Sequence, residues 1–391
     1  MLARRRIPFV RPLLAIAIAF ALTFVLGACS SSGETSSARS AGSKSADFMA
    51  AIFYYDYDDV YIGSVRNALT ADLTSSKITY QEYDADHDQL TQNTQIDKAI
   101  QSGADILVVN IVNSGSAERS DVICQKAKDA DIPVVFFNRP LEEQGYEGVI
   151  LDYYKNIAFV GTNFAEAGHL QGEMIGEYLV DHYDEVDLNH DGRISYALFK
   201  GEAANVEAIY RTKYSVEDAN AILSKHGYPS LTYFDPASVD AFQLDLTGSW
   251  TADSAENYML TNLTHYNEDN GNMIELVIAN SDAMAGGAIN ALQKNGYNLG
   301  TDDCTTIPVF GVDATAEGRQ LIADGIMTGT IAQDAQAMAD CISQMVENEK
   351  SGRTLLFGMD SYPRDTEYDR ERMILLPYSI YSPEEQSASQ S

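Results

Sequence analysis

Short runs that are apolar at every position, each followed by a longer amphipathic stretch, recur along this chain and limit its fold more than any other feature. Residues 106–112 read Ile-Leu-Val-Val-Asn-Ile-Val, and residues 132–138 read Ile-Pro-Val-Val-Phe-Phe-Asn. A strand with two apolar faces has to be covered on both sides, as happens in parallel sheets whose crossovers are helices. The beat starts with a strand at 48–54 and a helix at 61–73, then a strand at 78–83 and a helix at 90–100. Helix 117–130 comes after the run at 106–112. After residue 156 come strand 158–160, helix 165–180, strand 194–199, helix 207–223 and strand 231–234. Helix 254–263, strand 274–279, helix 283–294, strands 307–312 and 329–331, and helix 335–349 close the series. About ten such units are more than one compact open sheet usually holds. The pattern therefore predicts an α/β chain with two doubly wound parallel-sheet lobes. No Pro- or Ser-rich linker separates them, which predicts that the chain crosses between lobes more than once.

Charge and motifs remove several function classes. The chain has 26 Lys+Arg against 57 Asp+Glu, a formal −31, and so strong an excess of acid repels polyphosphate. Nucleic acid is excluded as a partner. No HExxH, GxSxG, GxxxxGK[ST] or GxGxxG motif occurs, and four Cys without a CxxC pair make no disulfide framework.

The amino terminus carries an export signal. Residues 1–12 hold Arg4, Arg5, Arg6 and Arg11 and no acid, and residues 13–26 are apolar apart from Thr23. The segment ends in Leu26-Gly27-Ala28-Cys29, which resembles a bacterial lipobox. That resemblance implies removal of residues 1–28, lipidation of Cys29, and a lipid anchor on the outer face of the cytoplasmic membrane, at the cell surface or in a periplasm. Residues 29–46 form a Ser-rich tether, with eight Ser between positions 30 and 46. A flexible chain of that length spans ~23 Å. Cys124, Cys304 and Cys341 read as small buried hydrophobes.

Polar residues gather at the carboxyl ends of the predicted strands. Asp56, Asp58 and Asp59 come after the first, Asn110 interrupts the third, and Asn138 ends the next; Glu202, Asn280, Asp282, Asp313 and Asp334 continue the series. That edge of an open parallel sheet binds small ligands, and two facing lobes would line one cleft. Any one of these residues is equally a helix cap. The repetition at successive strand ends favours a site.

Residues 187–195 read Asp-Leu-Asn-His-Asp-Gly-Arg-Ile-Ser, matching the first nine positions of a calcium loop: oxygen donors at 1, 3 and 5, Gly at 6, a carbonyl at 7. The twelfth position, a bidentate Glu in an EF-hand, is Leu198, and the next residues continue a strand pattern. A calcium ion here would need a carboxylate from elsewhere in the chain. The plainer alternative is an acidic surface turn.

Tyr57-Asp58-Asp59, Val109-Asn110-Ile111-Val112, residues 133–138, Asp187-Leu188-Asn189-His190-Asp191-Gly192, Lys200-Gly201-Glu202, Val277-Ile278-Ala279-Asn280 and residues 308–313, taken together, resemble the D-galactose/D-glucose-binding proteins. These are sugar receptors of ABC transporters, of the periplasmic-binding-protein type 1 class, and the likeness runs in order through residues 47–381. It implies two lobes joined by three hinge crossovers. The lobes are expected at 47–137 with 334–372, and at 138–333 with 373–382, and then a tail at 383–391. The resemblance implies a structural calcium ion held by Asp187, Asn189, Asp191, the carbonyl of Arg193, Ser195 (Gln in the family) and the distant Glu275. It implies sugar contacts at Asp59, Tyr61 (where Phe is usual), Asn110, Arg211, Trp250 and Asp313. Four further contacts depart from the family: Asn205 for His, Glu207 for Asp, and Ser281 and Gln333 each for Asn. Each stays polar but changes reach, which puts galactose and glucose themselves in doubt while keeping a monosaccharide pocket. Tyr61 and Trp250 are suited to cover the two C–H faces of a sugar ring, and the carboxylates and amides to bind its hydroxyls.

The resulting expectation is a monomeric, membrane-tethered substrate-binding lipoprotein, without catalysis of its own, that delivers a monosaccharide to an ABC permease. Presentation of the bound sugar to a sensory receptor is one alternative. A glycan-processing enzyme using Asp59 and Asp313 as its carboxylate pair is a more remote one.

Overall fold

The structure, a computed structural model, describes residues 48–301, 303–365 and 370–383. The leader, Cys29, the Ser-rich tether and residues 384–391 of the tail lie outside the described residues. Most of the first lobe is β1 (Met49–Tyr54), α1 (Val60–Ser75), β2 (Thr79–Asp84), α2 (Gln89–Gln101), β3 (Ile106–Val109), α3 (Ala117–Asp129), β4 (Val134–Phe137), the single turn α4 (Ile150–Tyr153) and β5 (Ile157–Thr162). The second lobe contains α5 (Glu166–Val186), β6 (Ser195–Lys200), α6 (Val206–Lys225), β7 (Thr232–Tyr233), β8 (Gln243–Leu244) and α7 (Ala252–Leu263). It continues through β9 (Leu276–Ala279), α8 (Asp282–Lys294), β10 (Val309–Asp313), α9 (Ala316–Ala323) and β11 (Gly329–Ala332). The chain then returns to the first lobe for α10 (Ala335–Lys350) and β12 (Met373–Leu376), and leaves it again for β13 (Ser379–Ile380).

The first sheet has the order β12-β5-β4-β3-β1-β2 and is parallel throughout. The second runs β13-β11-β10-β9-β6-β7, with β8 also on β6 and only β13 antiparallel. The strands that read as apolar on both faces, β3, β4 and β9, are buried at every position. One face of the first sheet packs on α1 and α10 through Ile62, Val65, Met338 and Ile342; the other packs on α2 and α3 through Ile96 and Ile123.

The three crossings lie at 163–165, 333–334 and 377–378. This corrects two expected boundaries. β5 pairs with β4 and with β12, so the first lobe runs on to Thr162 instead of ending at 137, and β12 belongs to it too. Residues 157–160 are as apolar as any other strand here, so the sequence holds nothing that marks them as the last of the first sheet.

Candidate functional site

In each sheet the strand order reverses beside its first strand, between β1 and β3 and between β6 and β9. Ligand crevices in open α/β sheets form at such switch points. Here the two crevices face each other around a cavity of about 280 Å³, near the lower end of small-molecule sites, about 300–1,000 Å³. The first lobe supplies Asp58, Asp59, Tyr61, Asn138 and Arg139; the second supplies Asn205, Glu207, Arg211, Trp250, Ser281, Asp313 and Gln333.

Several of these residues owe their positions to helix capping. Asp59 caps α1, its Oδ1 accepting from the Ile62 amide at 2.8 Å. Asn205 caps α6 and Ser281 caps α8 in the same way. The capping reading therefore leaves room for the ligand reading, because a cap uses only part of a side chain's bonding capacity and leaves the rest at the helix N-terminus facing the cavity. The other Asp59 oxygen accepts from the Tyr55 hydroxyl at 2.5 Å.

Arg211 is the centre of the polar wall. It is buried, with Nη1 donating to the Asn280 carbonyl at 2.8 Å and lying 3.8 Å from Asp313 Oδ1. Nη2 reaches Tyr378 Oη at 2.7 Å, Glu207 Oε2 at 3.2 Å and Gln333 Oε1 at 3.5 Å. Two buried donors on cavity-lining residues, Arg211 Nε and Gln333 Nε2, have no protein partner. Such groups are costly unless something else satisfies them.

Aromatic rings come from both lobes. Tyr61 lies on α1, and Trp250 sits in the loop before α7, where its ring packs on Gly201. A Cβ at position 201 would come within 2.1 Å of the indole, so only glycine admits it there. Trp250 (φ 58°) and Asp313 (φ 115°) both hold backbone conformations that non-glycine residues avoid. Strain of this kind costs on the order of 1–3 kcal/mol per residue and concentrates at ligand sites.

The cleft is shut. His87 Nε2 lies 2.7 Å from the Thr247 carbonyl, Arg139 pairs with Glu202 at 2.7 Å, and Asn205 Nδ2 donates to Ser114 Oγ at 3.3 Å, all across the lobes. The Arg139 guanidinium also donates to the carbonyls of Ile111 and Val112 and stacks 3.9 Å above the Tyr55 ring.

One expected contact is misplaced. Asn110 is fully buried behind the cavity: Oδ1 accepts from the Tyr55 amide, and Nδ2 donates to the Phe137 carbonyl and to Asn138 Oδ1. Ile111 and Val112 continue inward after it. Asn138 takes the wall position instead, with φ 61° turning the chain out of the sheet. Sequence reading also missed Arg139 as a wall residue, and Tyr378, which lies behind Arg211. Of the three cysteines expected to be buried, Cys124 and Cys341 are, whereas Cys304 is half-exposed, its sulfur accepting from the Leu299 amide.

Burial raises the carboxyl pKa values of Asp59 and Asp313. For Asp59 the bonds from Ile62 and Tyr55 oppose the rise, and for Asp313 the Arg211 charge does. Burial also moves Asp282, beneath the site, up to about 6, and Glu142 up to about 6. These folded-state values exceed the unfolded ones, so the folded protein binds more protons between pH ~4 and ~6, and stability is lost as pH rises through that window. We expect the protein to be on the order of 2 kcal/mol more stable at pH 5 than at pH 7, as measured by urea unfolding. A flat profile would contradict this.

Away from the cleft, residues 187–195 form a tight turn whose side-chain oxygens fold inward. Asp187 accepts from the Asp191 and Gly192 amides, Asn189 Oδ1 from Asp191 at 2.8 Å, and Asp191 Oδ1 from Arg193 at 2.8 Å. Glu275, fully buried, closes the turn from the start of β9. It accepts from the Asn189 amide at 3.2 Å and the Ser195 amide at 2.9 Å. Ser195 Oγ donates to the Met273 carbonyl at 2.5 Å and lies 3.1 Å from Glu275 Oε2. Among the described residues no three His, Cys, Asp or Glu side chains converge as a metal-holding group. A cation here would also draw on the Asn189 amide oxygen, the Ser195 hydroxyl and the Arg193 carbonyl, all hard donors of the kind calcium takes.

Two facing doubly wound lobes with three crossings and a polar, aromatic-walled cavity between them define a two-lobed receptor that closes over a small molecule. Residues 50–354 match the periplasmic binding protein domain, and the chain belongs to that family. It is 30% identical over 344 residues to the D-galactose/methyl-galactoside binding periplasmic protein MglB of Haemophilus influenzae, covering 86% of this chain and 91% of that one. It is 25% identical over 287 residues to the D-xylose-binding periplasmic protein of Escherichia coli, covering 71% and 72%. Among solved structures, an ABC transporter solute binding protein from Bacillus halodurans with bound myo-inositol has a TM-score of 0.62 at 22% identity, covering 88% of this chain and 98% of that one. One from Clostridium phytofermentans with bound β-D-glucose has a TM-score of 0.66 at 17% identity, covering 88% and 96%. The fold is that of the periplasmic binding protein type 1 sugar receptors.

Proposed function

We propose that this protein is the substrate-binding component of an ABC sugar importer, and that its cleft closes on one neutral monosaccharide or cyclic polyol. The observation that carries the reading is the set of groups around the 280 Å³ cavity: carboxylates from both lobes, a buried guanidinium, amide and hydroxyl side chains, and one aromatic ring per lobe. A polyol offers hydroxyls that donate and accept at once, which suits Asp59, Asp313, Asn138, Asn205 and Gln333; its C–H faces suit Tyr61 and Trp250. The unpartnered donors of Arg211 and Gln333 await such a ligand. Binding and hinge closure then stabilise each other. The relatives named for transport favour delivery to a permease over presentation to a sensory receptor.

The test is a thermal-shift and fluorescence panel of D-galactose, methyl-galactoside, D-glucose, D-xylose, L-arabinose, xylitol and myo-inositol. A cognate ligand at 100 times its dissociation constant adds about 2.7 kcal/mol of stability. Trp250 is the sole Trp and lines the cavity, so its emission should change as well. No response from any compound would sink the reading. Two further features belong to the proposal: a structural calcium ion in the turn at 187–195 with Glu275, and anchoring through a lipid on Cys29, which labelling with a fatty-acid analogue would detect in wild type and not in Cys29→Ala.

A further inference from the structure

All three interlobe crossings end on one buried ion pair. Arg211 and Glu207 stand one turn apart on α6, their charged groups 3.2 Å apart. From the first crossing, Thr162 donates its hydroxyl to Glu207 Oε1 at 2.6 Å. From the second, Gln333 Oε1 lies 3.5 Å from Arg211 Nη2. From the third, Tyr378 accepts from Arg211 Nη2 at 2.7 Å and donates to Glu207 Oε1 at 3.0 Å, with Thr162 Oγ1 3.1 Å away. Tyr378 therefore bonds to both members of the pair. Its backbone amide also donates to Glu166 Oε2 at 3.0 Å, just past the first crossing, which joins crossings one and three directly.

Tyr378 does not line the sugar-sized cavity. It faces a separate hollow at the hinge, and Tyr61, Asp313 and Gln333 form the partition between the two. We propose that Tyr378 is a positioning residue: its hydroxyl holds Arg211 and Glu207 in their ligand-facing geometry when the third crossing is in its closed conformation, so that hinge angle and ligand seat form one coupled unit. Hinge opening is absorbed as φ/ψ change within the crossings. α6 is rigid and moves with the second lobe, so a rotation at 377–378 displaces the phenol from the guanidinium. Burial keeps the phenol neutral and hence able to donate to Glu207 and accept from Arg211 at once. The proposal rests on the ligand reading above for its binding arm only.

The test is Tyr378→Phe, which keeps the ring and removes the hydroxyl. With D-galactose, D-glucose, D-xylose and myo-inositol as probes, the dissociation constant of whichever binds is expected to rise 10–30-fold, mainly through faster release, with a smaller change in Trp250 emission. In an Arg211→Lys background, Tyr378→Phe should cost less than 3-fold. Equal costs in both backgrounds would show a merely structural hydroxyl and overturn the proposal, as would unchanged affinity in the single variant. Thr162→Val, which removes the threonine hydroxyl's contacts with Glu207 and Tyr378 but leaves the phenol's own bonds to Arg211 and Glu207, should give a smaller loss and serves if Tyr378→Phe does not fold. If none of the probes binds the wild type, the sugar reading fails, while the coupling is still tested without ligand. Small-angle scattering of Tyr378→Phe should then show a larger radius of gyration than wild type, and superimposable curves would overturn the proposal.

Discussion

Replacing Arg211 with Met is expected to cost about 3–5 kcal/mol of stability and to weaken ligand binding roughly 10²–10³-fold. Few substitutions here should do more. The guanidinium is buried, and its charge faces Glu207 at 3.2 Å and Asp313 at 3.8 Å. Met fills much of the volume but leaves two buried carboxylates with no counter-charge, the arrangement that makes a broken buried pair so expensive. It also strips a donor from the Asn280 carbonyl and from Tyr378. The sign of the pH dependence distinguishes this cause from simple loss of packing. Burial already raises the Asp313 pKa against the opposing pull of Arg211. Removing that pull raises it further, so the variant should regain stability as pH falls toward 5 and do so more steeply than wild type. Urea unfolding at pH 5 and 7.5 reads this directly. A deficit of equal size at both values would mean that the carboxylates are not what suffers.

That network shows which parts of the molecule the sequence discloses. Strands β3, β4 and β9 were legible because burial on both faces forces an unbroken aliphatic run, and the need to cover the sheet puts helices between them. The place where the chain changes lobe was not legible. β5, the last strand before the first crossing, has the same composition as strands after which the chain stays in its lobe, and β12 pairs with it from more than 200 residues away. Partnership of this kind is set by tertiary pairing, not by local pattern.

The site divides in the same way. Asp59 and Asp313 were singled out because strand ends in such a sheet point at the crevice, whereas Asn205 and Ser281, which cap helices at the same cavity, came only from the family resemblance. Asn110 and Asn138 show the limit, since each is an Asn after an aliphatic strand. The difference lies in the next two residues. Asn110 leads into Ile111 and Val112, which stay buried, while Asn138 leads into Arg139-Pro140 with a left-handed backbone that Asn tolerates. An Asn before a basic residue and a Pro is a turn signal that would have favoured position 138. Tyr378 carries no such mark. It reads as an aromatic near a short strand, and its role depends on groups 167 and 171 positions earlier in the chain.

Chelation of calcium is expected to lower the melting temperature by about 5 °C, and Glu275→Gln is expected to remove that dependence along with about 2–4 kcal/mol of stability. The turn at 187–195 brings Asp187 and Asp191 together with Asn189 in a short stretch, where backbone amides engage both Asp187 oxygens, the Asn189 side-chain oxygen and one oxygen of Asp191. The carboxylates of Asp187, Asp191 and Glu275 are concentrated negative charge that a divalent ion would relieve. A fully bound ion at 100 times its dissociation constant contributes about 2.7 kcal/mol, hence the size of the shift. Glu275 has a second task that does not need metal. Its two oxygens accept from Asn189 and Ser195, tying the turn to β9, and a Gln offers only one acceptor for those two amides. The two tasks are separable by experiment. A strut alone predicts that Glu275→Gln destabilises equally with and without EGTA and that wild type ignores EGTA. A calcium site predicts that wild type falls toward the variant when EGTA is added and that excess calcium restores only wild type. Indifference of the wild-type melting temperature to both would leave the turn as an acidic loop braced by a buried glutamate.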